Sequence, residues 1–229
     1  MKNKKVVLIT GGSDGLGKII AQRLAGNHRV VILSPTQNKL QEVAKKLGCE
    51  YVVADVSDFS ALEKAVEKVI NNHSRIDCLV NCAGLWIQGE LEYNDHQKID
   101  AVLRVNTIGT IFATKAVTTQ MKKQRAGLIV NINSLSGVLT KEERAVYVAS
   151  KFAVTGFTRS IQSELSKYGI CVTGILPGGL KTTMFDKAGN PKDQTDFLDP
   201  DEVAKVVEFL LTINAPTVLP EIWIKNLNN

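Results

Sequence analysis

An α/β fold, a doubly wound parallel sheet of about seven strands with helices on both faces, is predicted by three observations. Short apolar runs alternate along the whole chain with amphipathic stretches, the pattern of repeated βαβ units. Most of the runs are rich in Val and Ile at both parities, so neither face of the sheet is left to solvent. A glycine-rich segment, Gly11 to Gly17, stands between the first run and the first amphipathic stretch. At 229 residues the chain suits one large domain better than two, and residues 1–229 are read as a single unit.

The strands are expected at Lys5–Thr10, Arg29–Leu33, Glu50–Val53, Cys78–Asn81, Gly127–Ile132, Cys171–Leu176 and Glu221–Ile224. Between them the helices have readable ends. Thr36 to Leu47 carries Leu40, Val43, Ala44 and Leu47 on one face, and Gly48 stops it. Ser60 and Glu63 have capping-box spacing ahead of Ala61–Ile70, with Ser57 or Asp58 as alternative caps. Further helices are read at Gly15–Ala25, His96–Lys122, Arg144–Lys167 and Asp201–Leu211. The one long polar interval, Thr183–Pro200, carries Gly189 and Pro191 and is expected to act as a lid over a binding site.

Composition excludes several function classes. The formal charge is +5, but its basic residues are scattered and no recognition module accompanies them, so no nucleic-acid partner is expected. Attraction of a phosphate-bearing cofactor is the milder reading of the charge. No apolar run is long enough to span a membrane. The basic opening, Lys2 to Lys5, followed by Val6–Ile9 imitates the start of a secretory signal, but Gly11-Gly12-Ser13-Asp14 cuts the run short. Cys49, Cys78, Cys82 and Cys171 show no Cys-x-x-Cys spacing, and Cys78 and Cys171 lie in apolar runs; free thiols in a reducing cytoplasm follow. His28, His73 and His96 form no ligand spacing with them, so no metal is expected.

Glycines in a strand-to-helix turn let the backbone approach a pyrophosphate, and the free amides at the helix start face its charge, as in Rossmann-type dinucleotide folds. Here the turn is Thr10-Gly11-Gly12-Ser13-Asp14-Gly15-Leu16-Gly17, and its Thr-Gly-x-x-x-Gly-x-Gly spacing resembles the short-chain dehydrogenase/reductase family. Other landmarks follow in the family's order over nearly the whole chain. Asp55-Val56 resembles the pair whose carboxylate contacts adenine. Asn81-Cys82-Ala83-Gly84 resembles Asn-Asn-Ala-Gly, with Cys82 a departure. Pro177-Gly178-Gly179-Leu180-Lys181-Thr182 resembles Pro-Gly-x-x-x-Thr, which implies that the Leu180 backbone and the Thr182 hydroxyl hold the nicotinamide carboxamide.

At the cofactor's 2′ position, Ser34 stands where an acid selects NAD, and Pro35 where arginine is frequent. With Ser34, Thr36 and Lys39 able to meet a phosphate, NADP is expected. Asp14 argues for NAD, which stays open.

Tyr147 and Lys151 are four residues apart within one helix, which puts both side chains on one face. A phenol titrates near pH ~10 alone, so a neighbouring cation makes it useful near neutrality. The family resemblance extends to this pair and to Asn131-Ile132-Asn133-Ser134-Leu135-Ser136-Gly137, where Ser134, thirteen residues before Tyr147, is the candidate and Ser136 the neighbour. Asn106, a poor helix former in mid-helix, matches the residue that breaks the helix and helps hold a water relaying protons to the lysine.

The resemblance therefore implies an oxidoreductase acting on a carbonyl or alcohol substrate. Tyr147 is its acid/base, Ser134 a hydrogen-bond donor to the reacting oxygen, and Lys151 a grip on phenol and ribose. A silent nucleotide-binding regulator and a sugar-nucleotide epimerase are the alternatives. The four catalytic-type residues argue against the first, and the small region after the seventh strand against the second. The long helices imply a homodimer or homotetramer, although the short tail after Glu221–Ile224 removes contacts that longer family members make.

Overall fold

The computed structural model describes residues 4–227; Lys2 and Asn3 of the basic opening lie outside them. Seven strands form one parallel sheet in the order β3-β2-β1-β4-β5-β6-β7. They are β1 Val6–Thr10, β2 Arg29–Ser34, β3 Glu50–Val53, β4 Cys78–Asn81, β5 Gly127–Ile132, β6 Ile170–Pro177 and β7 Glu221–Ile224. The register pairs Ile9 with Ile32 and Val80, and Asn81 with Asn131.

The helices are α1 Gly15–Leu24, α2 Gln37–Leu47, α3 Phe59–His73, α4 His96–Leu103, α5 Gly109–Gln124, α6 Ala145–Ser166, the short α7 Met184–Lys187, and α8 Pro200–Leu210. Alternate residues of the strands face opposite layers. Val6, Leu8, Val31 and Leu79 pack on α3, α5 and α6, whereas Val7, Ile9, Ile32 and Val80 pack on α1, α2 and α8. Burial at both parities is what the strand composition predicts.

Several expected boundaries move. Asp58 caps α3, its carboxylate accepting from Ala61 N, so the helix begins at Phe59 and the Ser60/Glu63 pair lies inside it. The expected helix His96–Lys122 is three pieces, because a π-helical turn at Arg104–Ile108 separates α4 from α5. The interval Thr183–Pro200 is not structureless. It contains α7, and its Leu198 bridges to Leu180. All four cysteines are free, but Cys171 is only half-buried, with Sγ facing the Thr217 carbonyl at 3.6 Å.

Among the described residues no helix is long and apolar enough to cross a membrane, and no group of His, Cys, Asp and Glu could hold a metal ion.

Candidate active site

The marked segments gather at the carboxyl ends of the strands around the β1/β4 junction, where the strand order reverses and open α/β sheets form their ligand crevice. Close approach requires glycine in the first turn. A Cβ at Gly11 would lie 2.9 Å from the Ala83 backbone, and one at Gly17 would lie 2.5 Å from the Gly11 carbonyl oxygen. Gly15 differs: at φ +49° an added Cβ would meet nothing within 4 Å, so this backbone borders open space. Leu16 is buried in the first turn of α1, and Ser13 is half-buried.

Asp14 caps α1 by accepting from Gly15 N at 2.7 Å, and its other carboxylate oxygen pairs with Lys187 of α7. The Lys187 hydrogen bond, with help from the Gly15 amide and the Lys39 charge, holds the Asp14 carboxyl below its usual range. The Thr10 hydroxyl accepts from Cys82 N at 3.0 Å and Ala83 N at 3.2 Å, which pins Asn81–Gly84 beside the glycine turn. Burial pushes the Cys82 thiol up to about 12, so the departure from asparagine brings no thiolate.

At the other side of the crevice, Ser34 ends β2 with its hydroxyl buried and without a hydrogen-bond partner, and Thr36 begins α2 without a side-chain cap bond. Asp55 Oδ1 accepts from Ser57 N at 2.8 Å and from the Ser57 hydroxyl at 2.7 Å. Val56 is buried against Gly109, where an added Cβ would lie 2.6 Å from it. Beyond β6, Pro177 closes the strand, Gly178 N donates to Ile224 O at 2.8 Å, and the Thr182 hydroxyl accepts from Met184 N.

Tyr147 and Lys151 stand on α6, only 7% and 6% exposed. A polar ladder locks that helix to the sheet. Asn81 Nδ2 donates to Thr114 at 3.1 Å and to Asn131 Oδ1 at 2.8 Å, Asn131 Nδ2 donates to Thr158, and Asn133 Nδ2 donates to Thr155. Ser134 accepts from Ser136 N with its hydroxyl oxygen, and its side chain lies close enough to the Tyr147 phenol to act on its acidity. Burial raises the phenol to about 12, while Ser134 and the Arg144 charge act downward.

The ammonium of Lys151 donates to Ile132 O at 3.2 Å and lies 5.8 Å from the Tyr147 ring centre. Burial lowers it to about 8, against the opposing Cys82 thiol. Arg144, which the sequence reading did not single out, is a second cation near the phenol, and its field also acts downward on it.

Asn106 sits in the π-turn, buried. Its Oδ1 accepts from Leu85 N at 2.7 Å, and its Nδ2 donates to Leu85 O at 3.0 Å and to Ser150 at 3.1 Å. Its side chain thus clamps the strand-following loop to α6, and its carbonyl accepts from Thr110 at 2.8 Å.

An aromatic cluster around the phenol also escaped the sequence reading. Trp86 lies 4.4 Å from Tyr147 and 5.0 Å from Phe185 between ring centres, and Phe185 lies 5.6 Å from Phe197. Its members come from two segments besides α6, the loop after β4 and the segment 183–200, and no spacing links them. Trp86, two residues past Gly84, carried the nearest available signal.

A family model described as short chain dehydrogenase matches residues 5–193. The chain is 33% identical to an uncharacterized oxidoreductase of Staphylococcus saprophyticus, over 94% of this chain and 97% of that one. It is 32% identical to a 3-oxoacyl-[acyl-carrier-protein] reductase of Synechocystis, over 91% and 89%. Its fold superposes on an alcohol dehydrogenase of the archaeon Thermococcus sibiricus complexed with 5-hydroxy-NADP, with a TM-score of 0.90, 26% identity and coverage of 99% and 98%. The resemblance read from the glycine turn and the Tyr147/Lys151 pair thus extends through sequence and fold alike, and the chain belongs to the short-chain dehydrogenase/reductase family of oxidoreductases.

Proposed function

We propose that the protein is an NADP-dependent reductase or dehydrogenase of a carbonyl or secondary alcohol substrate, with Tyr147 as general acid/base. The observation that carries this reading is the buried Tyr147 phenol standing beside Ser134 with Lys151 5.8 Å from its ring centre. A pure nucleotide sensor has no use for that pair.

The residues fit a dinucleotide. The open space at Gly15 and the amides opening α1 suit a pyrophosphate. The orphaned Ser34 hydroxyl, Thr36 and Lys39 suit a 2′-phosphate, and the pairing of Asp14 with Lys187 removes most of the repulsion that would favour NAD. Asp55, through its second oxygen, and Val56 would meet the adenine; Asn81, Ala83 and Gly84 would line the ribose side. Pro177, Gly178, Leu180 and Thr182 would hold the carboxamide. The alcohol dehydrogenase complexed with 5-hydroxy-NADP supports the same choice by analogy.

When bound, the nicotinamide supplies or accepts the hydride at the substrate carbon. In reduction, Tyr147 breaks its O–H bond to protonate the carbonyl oxygen, and Ser134 donates a hydrogen bond to that oxygen as its charge develops. The charges of Lys151 and Arg144 stabilise the phenolate, which solvent reprotonates past Lys151. Asn106 keeps Leu85 in place, and its carbonyl has a second lone pair for a relaying water. The segment 183–200 acts as the substrate lid, and the exposed Leu103 and Phe152 support assembly as a homodimer or homotetramer in a reducing cytoplasm.

Cofactor oxidation with a panel of ketones and aldehydes tests the reading. Turnover lost in Tyr147→Phe supports it, and turnover indifferent to Tyr147 contradicts it.

A further inference from the structure

Beside the phenol, two buried N–H donors have no acceptor: Nε of Arg144 and Nε1 of Trp86. Buried donors are ordinarily satisfied, so an orphaned pair in a binding crevice marks a place for an acceptor. Arg144 stands immediately before α6 with its guanidinium 5.1 Å from the Trp86 ring centre, and that ring is 4.4 Å from Tyr147. Lys192, carried by the segment 183–200, lies 5.7 Å from the same Trp86 ring and 5.8 Å from Phe185.

No ion pair joins either cation to a carboxylate among the described residues. Burial works most against the Lys192 charge, and repulsion from Arg144 and Lys141 adds to it. Glu143 is a carboxylate whose field reaches both Arg144 and Lys192, but its Oε2 takes a hydrogen bond from Gln88 at 2.9 Å. The backbone of Glu143 is left-handed at φ 59°, a conformation disfavoured outside glycine. Its carbonyl is fixed by Gly89 N at 2.8 Å. A strained, pinned residue thus delivers Arg144 to the aromatic platform, where like charges meet and the Glu143 field offsets only part of the cost.

An anion seated there would remove the cost. A carboxylate or phosphate can take two parallel hydrogen bonds from a guanidinium and a third from an indole N–H. Resting on the reductase reading above, we infer that the substrate is an anionic carbonyl or carbinol compound, an oxo acid or oxoalkyl phosphate, whose acid group binds Arg144 and Trp86 Nε1 while Lys192 covers it. Because the subsite lies about one ring from the phenol, only a few bonds separate acid group and reacting carbon.

Matched substrates test this: short 2- and 3-oxo acids, their methyl esters, and oxoalkyl phosphates of the same chain length, each with saturating NADPH. The acid or the phosphate should exceed its neutral counterpart at least tenfold in kcat/KM, and whichever anion gains more identifies the group. Arg144→Ala should shrink that ratio at least tenfold, Arg144→Lys should restore part of it, and Lys192→Ala should shrink it a few-fold. The ratio cancels any effect of Arg144 on the phenol that both substrates share. Esters reduced as well as acids by the wild type, or a ratio unmoved in Arg144→Ala, overturns the inference.

Binding gives a readout without turnover. In a Trp223→Phe background, leaving Trp86 as the one tryptophan of the two, phenylacetate or phenyl phosphate should alter Trp86 fluorescence and benzyl alcohol should not. Anion binding that depends on Arg144 in a protein that reduces no carbonyl would sink the reductase reading and leave the subsite standing. Ketone reduction without anion binding would do the reverse.

Discussion

Asp14 of the glycine turn and Lys187 of α7 form an ion pair between residues 173 positions apart in sequence. It fastens the turn after β1 to the segment 183–200. Both side chains are about half exposed, at 44% and 51%, so the pair adds at most ~1 kcal/mol to stability and its weight is positional. Lys187→Ala should leave the unfolding free energy within about 1 kcal/mol of the wild type. It should also speed amide exchange across Met184–Lys187 and weaken NADPH, because the Asp14 charge is then unscreened. Exchange unchanged in the variant contradicts the latch; NADPH and a substrate together should slow exchange over the whole segment 183–200.

Cofactor choice follows from the same corner. NADPH should bind more tightly than NADH, and Lys39→Glu should cost NADPH about tenfold or more, a loss of ~1.4 kcal/mol, with little effect on NADH. Fluorescence titration of both reduced cofactors decides it, and tighter NADH binding to the wild type overturns the NADP assignment.

On the proposed mechanism, the titration of Lys151 would set the pH dependence of reduction. The phenol, raised to about 12, stays protonated as the acid through the working range, whereas the ammonium, lowered to about 8, loses its charge within it. With NADPH saturating, kcat/KM for a ketone should be level below pH about 8 and fall above it. An arginine stays charged across that range, so an active Lys151→Arg variant should lose the alkaline limb. A wild-type profile level beyond pH 9.5 (roughly one reference lysine pKa less a unit) contradicts this role.

Gly17 and Gly26 separate crowding from mere glycine content. A Cβ at Gly17 meets the Gly11 carbonyl oxygen at 2.5 Å, whereas one at Gly26 meets nothing within 4 Å. Gly17→Ala should destabilise by about 1–3 kcal/mol and weaken NADPH, since the whole turn must shift. Gly26→Ala should stay within about 0.5 kcal/mol of the wild type. Denaturant unfolding and cofactor titration of the two variants check the contrast.

The strands were legible because each is a short, largely apolar run: β3, β4, β5 and β7 have the expected ends. Helix ends depended on side-chain geometry that a pattern does not carry, as with Asp58 at α3. The break at Arg104–Ile108 left no mark on the apolar pattern beyond Asn106, whose side chain is bound to Leu85 and Ser150 across the fold. Tyr147, Lys151 and Ser134 were legible because two share one helical turn and the third follows a strand at a family spacing. Trp86, Arg144, Phe185 and Lys192 were not, since their juxtaposition exists only once α6, the loop after β4 and the segment 183–200 have folded together.

The role of Tyr147 is tested by single-turnover hydride transfer in Tyr147→Phe alongside NADPH titration of the same variant. The ring stays in place against Trp86, so only the acidic hydroxyl is lost. The expected result is a fall of at least about 10²-fold in the rate of ketone reduction with NADPH affinity within a few-fold of the wild type. Near-normal reduction by Tyr147→Phe would contradict the assignment and pass the proton to Ser134 or a water.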